Sequence, residues 1–148
     1  MPTPWWYDYA VVRVVPRVER GEFVNVGVIV SCPARKLLAA RVELDRARVA
    51  ALDPTLDLDH VARHLDAIPR ICAGGEAAGP IGRLTARERF RWLTAERSTI
   101  IQCSPVHTGQ CMPDEDVVER LLDRMVRPAP AARPPDAPPL FPTPGELR

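Results

Sequence analysis

An α+β domain is the architecture this chain predicts: an antiparallel sheet of about four strands with helices packed on one face. Three observations lead there. Three runs of β-branched and apolar residues follow one another near the N-terminus, separated only by short turns. The spacing of apolar residues then becomes helical after Asp45. A fourth β-rich run, Ser98 to Cys103, returns late in the chain.

Tyr7 to Val15 contains neither Gly nor Pro and reads as the first strand, ended by Pro16. Glu19-Arg20-Gly21-Glu22 makes a turn. Phe23 to Ser31 is the second strand, with Val24, Val26, Val28 and Val30 expected on one face and Asn25 and Gly27 on the other. Gly27 inside a strand marks a bulge or a close backbone approach. After Cys32-Pro33-Ala34-Arg35, Leu37 to Leu44 forms the third strand, completing a three-stranded meander.

Asp45 is placed to cap a short helix that stops near Asp53, because Pro54 follows. A longer helix covers Asp57 to about Ile71, with Leu58, Val61, Ala62, Leu65 and Ile68 as its apolar stripe. Gly74-Gly75 and Gly79-Pro80 mark a loop. Thr85 and Glu88 have capping-box spacing for a helix to Trp92. Asp114 to Val126 is the clearest helix: acids at its start and Arg124 and Arg127 at its end both suit the helix dipole.

From Pro128 the composition shifts, with eight of the 17 prolines in residues 128–148. The expected organisation is one domain over residues 1–127 and a flexible proline-rich tail over 128–148, dispensable for folding.

Charge and cysteine content narrow the function classes. The net charge is +1, and no basic face with interleaved aromatics is evident, which argues against nucleic acid. Lys36 is the only lysine among 20 basic residues. The arginine bias fits a GC-rich coding sequence or a set of guanidinium forks for phosphate, and composition does not separate the two. No apolar run approaches the roughly 20 residues of a membrane span. Met1 to Trp6 lack the basic start and apolar core of a signal peptide. A cytoplasmic chain with four free cysteines is therefore expected.

The sequence has no phosphate loop of the Walker kind, no dinucleotide glycine motif and no serine nucleophile elbow. Cys103, His107 and Cys111 are spaced four apart, but paired Cys-x2-Cys knuckles are missing, so neither metal nor cofactor is expected. His60 and His64 stand at i, i+4 but fall off the apolar stripe, which reads as a solvated face. The segment that stands out is Arg97 to Gly109. It gathers Arg97, Ser98, Thr99, Gln102, Ser104, His107 and Thr108 around a Ser-Pro break, with Gly109 expected to turn the backbone at positive φ. It is either a loop that caps its own backbone or a polar pocket at a strand end. Tyr7, Glu22 and Asn25 are the weaker candidates beside it.

Tyr7-Asp8-Tyr9-Ala10-Val11-Val12, Glu22-Phe23-Val24-Asn25-Val26-Gly27-Val28 and Ser98-Thr99-Ile100-Ile101-Gln102-Cys103-Ser104-Pro105-Val106-His107-Thr108-Gly109 together resemble the bacterial domain-of-unknown-function family numbered 3037. The similarity runs from about Tyr7 to Val126. The resemblance implies no named activity; it implies neighbourhood with HipA-like kinase-type proteins, and so a protein partner of that kind. Two expectations follow. One is a non-catalytic partner or regulatory module. The other is an enzyme or ligand-binding protein using Arg97–Gly109, for a phosphorylated or nucleotide ligand. Convergence of Tyr7, Glu22, Asn25, Arg97, Gln102 and His107 on one concavity favours the second; scatter favours the first.

Overall fold

The computed structural model describes residues 3–129, 135–138 and 145. Its organising element is the long strand β1, Trp5–Val14. β2, Val24–Cys32, pairs antiparallel with β1, and β3, Leu37–Val42, pairs antiparallel with β2. On the other side of β1 lie two short strands: β4, Ile101–Cys103, against Val12 to Val14, and β5, His107–Cys111, against Trp5 to Tyr9. The antiparallel α+β arrangement is therefore as the period-two runs predict, with β5 as a fifth strand. Within the Ser98–Cys103 run the strand itself begins at Ile101, with the Ile100 carbonyl already accepting the Val15 N–H at 2.6 Å.

Helices cover both faces rather than one. Helices α1 (Arg46–Leu52), α2 (Leu58–Ala73) and α3 (Ala86–Thr94) close a core with Val12, Val14, Val24, Val26 and Ile29. Helix α4 (Val117–Met125) closes a second core with Tyr7, Val28, Val30, Cys32 and Cys111. The physical reason lies in β2. Val12 pairs with Gly27 but Arg13 pairs with Asn25, so Val26 is the extra residue of a β-bulge. The bulge reverses the alternation. Val24 and Val26 serve the first core and Val28 and Val30 the second, which corrects the expectation of one valine face. Gly27 is needed there, because a Cβ would sit 2.8 Å from the Arg41 carbonyl oxygen.

Local chemistry explains the helix ends. Asp45, Asp57 and Asp116 each accept a backbone N–H of the first turn, and Thr85 with Glu88 forms a full capping box. Helix α2 runs through Pro69 and closes at Gly74, whose φ is 73°. Gly74, Gly75 and Gly79 all have positive φ around the 3-10 segment Glu76–Arg83. Most of the proline-rich tail lies outside the described residues, as does the expectation about it. No helix among the described residues is long and apolar enough to cross a membrane.

Candidate functional site

The Arg97–Gly109 segment divides at Pro105. Proline has no N–H for the ladder, so the strand opposite β1 breaks between β4 and β5. Ser104 fills the gap. Its N–H donates to the Val11 carbonyl at 2.8 Å, and its Oγ accepts the Val11 N–H at 2.8 Å and donates to the Pro105 carbonyl at 2.9 Å. Ser104 is buried, so its hydroxyl completes the sheet and faces no ligand.

Beyond the break, the chain is a strand, not a loop. His107 pairs with Tyr9 and stacks on its ring, centroids 5.5 Å apart, while remaining exposed. Thr108 donates to the Asp8 carboxylate at 2.8 Å. Gly109 does not take a positive φ; it pairs with Tyr7, whose ring lies so close that a Cβ would be 2.6 Å from Cζ and Oη. Tyr7 itself is buried, and its hydroxyl accepts from Arg120 Nη2 at 3.0 Å.

The remaining candidates separate as well. Asn25 donates to the Met125 carbonyl at 3.0 Å, tying the bulged strand to the end of α4. Glu22 accepts from Arg20 within the first turn. Tyr7, Glu22, Asn25, Ser104, His107 and Thr108 therefore do not share a concavity with the rest.

Arg97, Ser98, Thr99 and Gln102 do come together. They border a groove of about 630 Å³ on the first face of the sheet, between α2, the end of α3 and the stretch leading into β4. The walls are mainly apolar: Val61, Ala67, Ile68 and Ile71 from α2, Leu93 from α3, and Ile101 from β4. Trp92, Ile100 and Val18 stand on its border and are 43%, 37% and 42% exposed. The sequence reading missed these residues. Trp92 and Ile100 were legible as large apolar side chains in polar surroundings, whereas Val18 reaches the groove only through the fold.

Three polar members of this groove, Arg97, Thr99 and Gln102, bond to backbone carbonyls. Arg97 donates to the carbonyls of Trp92 at 2.6 Å, Leu93 at 2.9 Å and Ala95 at 3.4 Å, and its guanidinium lies 4.8 Å from the Trp92 ring centroid. It thus caps the C-terminal carbonyls of α3, which lack helical partners. Thr99 donates to the Ile101 carbonyl and Gln102 to the Thr99 carbonyl. His60 and His64 edge the groove from α2 with their rings 4.4 Å apart, edge to face.

The thiols are poorly placed for nucleophilic work. Burial pushes Cys72 up to about 12 and raises Cys103 and Cys111, so all three stay protonated near neutrality. Cys103 packs with the first core and Cys111 with the second, so the evenly spaced Cys-His-Cys set is split across the sheet. Among the described residues, no group of three or more His, Cys, Asp or Glu side chains could hold a metal ion.

Residues 9–126 match the family described as Protein of unknown function (DUF3037). No curated protein and no solved structure matches the chain.

Proposed function

The chain belongs to the DUF3037 family, and from that premise we propose that it is a non-catalytic binding module whose groove receives an apolar segment of a partner protein. The carrying observation is the groove's border: Trp92, Ile100 and Val18 are exposed around one concavity with largely apolar walls. Clustered exposed apolar side chains cost solvation free energy unless another surface covers them. A partner helix or strand would bury them, with Trp92 as the kind of aromatic anchor that dominates interfaces. The family resemblance makes a HipA-like kinase-type protein the first partner to test, in the cytoplasm.

A nucleotide or phosphorylated ligand is the second reading, favoured by Arg97, Ser98, Thr99 and Gln102 beside the groove. It requires Arg97 to leave three carbonyls that it already serves.

Co-expression of the tagged chain with the HipA-like kinase-type protein tests the first reading. We expect the two to co-purify, and Ile100→Asp to weaken binding by more than about tenfold without changing the thermal midpoint. Failure to co-purify would discard that partner. Binding unchanged in Ile100→Asp would discard the groove as its site. Saturable ATP binding abolished by Arg97→Ala would favour the ligand reading instead.

A further inference from the structure

The proline-rich stretch after Arg127 carries one pair of adjacent large apolar residues, Leu140 and Phe141, set between Pro139 and Pro142. Both lie outside the described residues. Their composition and their distance along the chain nevertheless bear on the groove between α2, α3 and β4. A proline-rich run favours the extended polyproline II backbone before it binds anything, so docking costs it little entropy. Segments of this kind bind in grooves bordered by aromatic rings. This groove has Trp92 and Ile100 exposed on its border and the His60 and His64 rings stacked edge to face along one side.

Helix α4 ends beside the same end of the sheet at which the groove opens. The Met125 carbonyl accepts from Asn25, Asn25 pairs with Arg13, and Arg13 pairs with Gln102, which lines the groove. One strand separates β2 from β4, so the two are about 10 Å apart. Val18, on the groove's border, belongs to the β1–β2 turn at that same end. Residues 128–139 join Arg127 to Leu140. Extended at ~3.1 Å per residue, these twelve positions span about 37 Å, enough to pass from the α4 face around the sheet end and into the groove. The charges agree with this placement. Among the described residues lining the groove are His60, His64 and Arg97 and no carboxylate. The charged residues nearest the Leu140-Phe141 pair are Asp136 and Glu146, with Arg133 and Arg148 further out.

We infer that Leu140 and Phe141 occupy the groove of their own chain, packed on Trp92 and Ile100, and that a partner segment must displace them to bind. This rests on the reading of the groove as a receptor for an apolar segment, and it adds the regulation of that site. Tethering presents the pair at an effective concentration of roughly millimolar, so a contact too weak to hold between separate molecules fills the groove within one. The partner then binds only the fraction of chains whose groove is open, and its apparent affinity falls by that fraction.

The Trp92 indole N–H resonance of the full, isotope-labelled chain provides the test, because it reports on the groove without any partner. In the wild type the Phe141 ring should show cross-relaxation to the Ile100 methyl groups. The double variant Leu140→Asp, Phe141→Asp should lose it and shift the Trp92 resonance, while the amide resonances of α4 and β5 stay in place. A synthetic peptide of residues 134–148 added to that variant should return Trp92 saturably to its wild-type position, and the same peptide with both aspartates should not. A Trp92 resonance identical in wild type and double variant overturns the inference. So does a shift that depends on protein concentration, which would place the tail of a second copy in the groove. The HipA-like kinase-type protein should bind the double variant more than about threefold tighter than the wild type. Equal affinity for the two, in a protein whose binding Ile100→Asp weakens, would overturn the regulation and leave the groove as the partner's site. Binding indifferent to Ile100→Asp would remove the partner reading, and the Trp92 comparison would still decide where the tail lies.

Discussion

Single residues in this fold hold positions that polarity alone would misassign. Gly109 looks like a turn glycine but serves as the floor under the Tyr7 ring. Gly109→Ala should therefore destabilise the protein by about 1–3 kcal/mol through overpacking, read by urea denaturation. A neutral effect would mean that the ring moves aside easily. His107 is the opposite case: exposed and stacked on Tyr9, it should tolerate His107→Ala within about 1 kcal/mol. A loss of several kcal/mol in the same assay would make its imidazole a structural group and end its candidacy for binding. Arg127 shows how residue chemistry sets pH behaviour. Its guanidinium donates to Glu43 at 2.8 Å and also pairs with Glu119 and Asp123. Its hydrogen bonds hold Glu43 and Glu119 below the usual carboxylate range. A depressed folded-state value means stabilisation that is complete above the ordinary carboxylate range and is lost as pH falls through the depressed values. The acid limb of a stability–pH profile should therefore be shallower in Arg127→Ala than in the wild type. Superimposable profiles would show that the pairs contribute nothing, as is common for exposed ion pairs.

At the scale of elements, the broken strand opposite β1 depends on one hydroxyl. Ser104→Ala leaves the buried Val11 N–H without its acceptor, so a loss of about 1–3 kcal/mol is expected, and Ser104→Thr should recover part of it. Equal stability in all three proteins would show that water replaces the hydroxyl. Local signals made most elements legible. The caps at Asp45 and Thr85 placed helix starts correctly, because a side chain that accepts first-turn N–H groups acts within a few residues. β5 was not legible. His107-Thr108-Gly109-Gln110-Cys111 has weak strand propensity, and its pairing comes from a partner about a hundred residues away in sequence. The same distance effect hid the groove, whose apolar walls come from α2, α3 and β4, while the candidate polar residues turned inward to their own backbone. Gly27 did carry a readable signal, and both the bulge and the close approach occur there.

Across the whole molecule, one sheet separates two cores, and the bulge in β2 divides the valines of that strand between them. Leu65 of α2 lies in the first core and Leu122 of α4 in the second, each fully buried. Because β1 and β2 line both cores, loss of either should release the strands that the other packs on, and the chain should open as one unit. Free cysteines report on this directly: Cys72 is buried in the first core, and Cys32 and Cys111 in the second. Leu122→Ala should cost about 2–5 kcal/mol, which raises the open population by at least about thirtyfold. If opening is global, thiol labelling under native conditions should accelerate by the same factor at all three cysteines, including Cys72 on the far side of the sheet. Leu65→Ala should do the same in reverse, reaching Cys32 and Cys111. Acceleration confined to Cys32 and Cys111 in Leu122→Ala would show that α4 detaches alone. The α4 core would then be a separate, weaker unit resting on a sheet that α1, α2 and α3 hold by themselves.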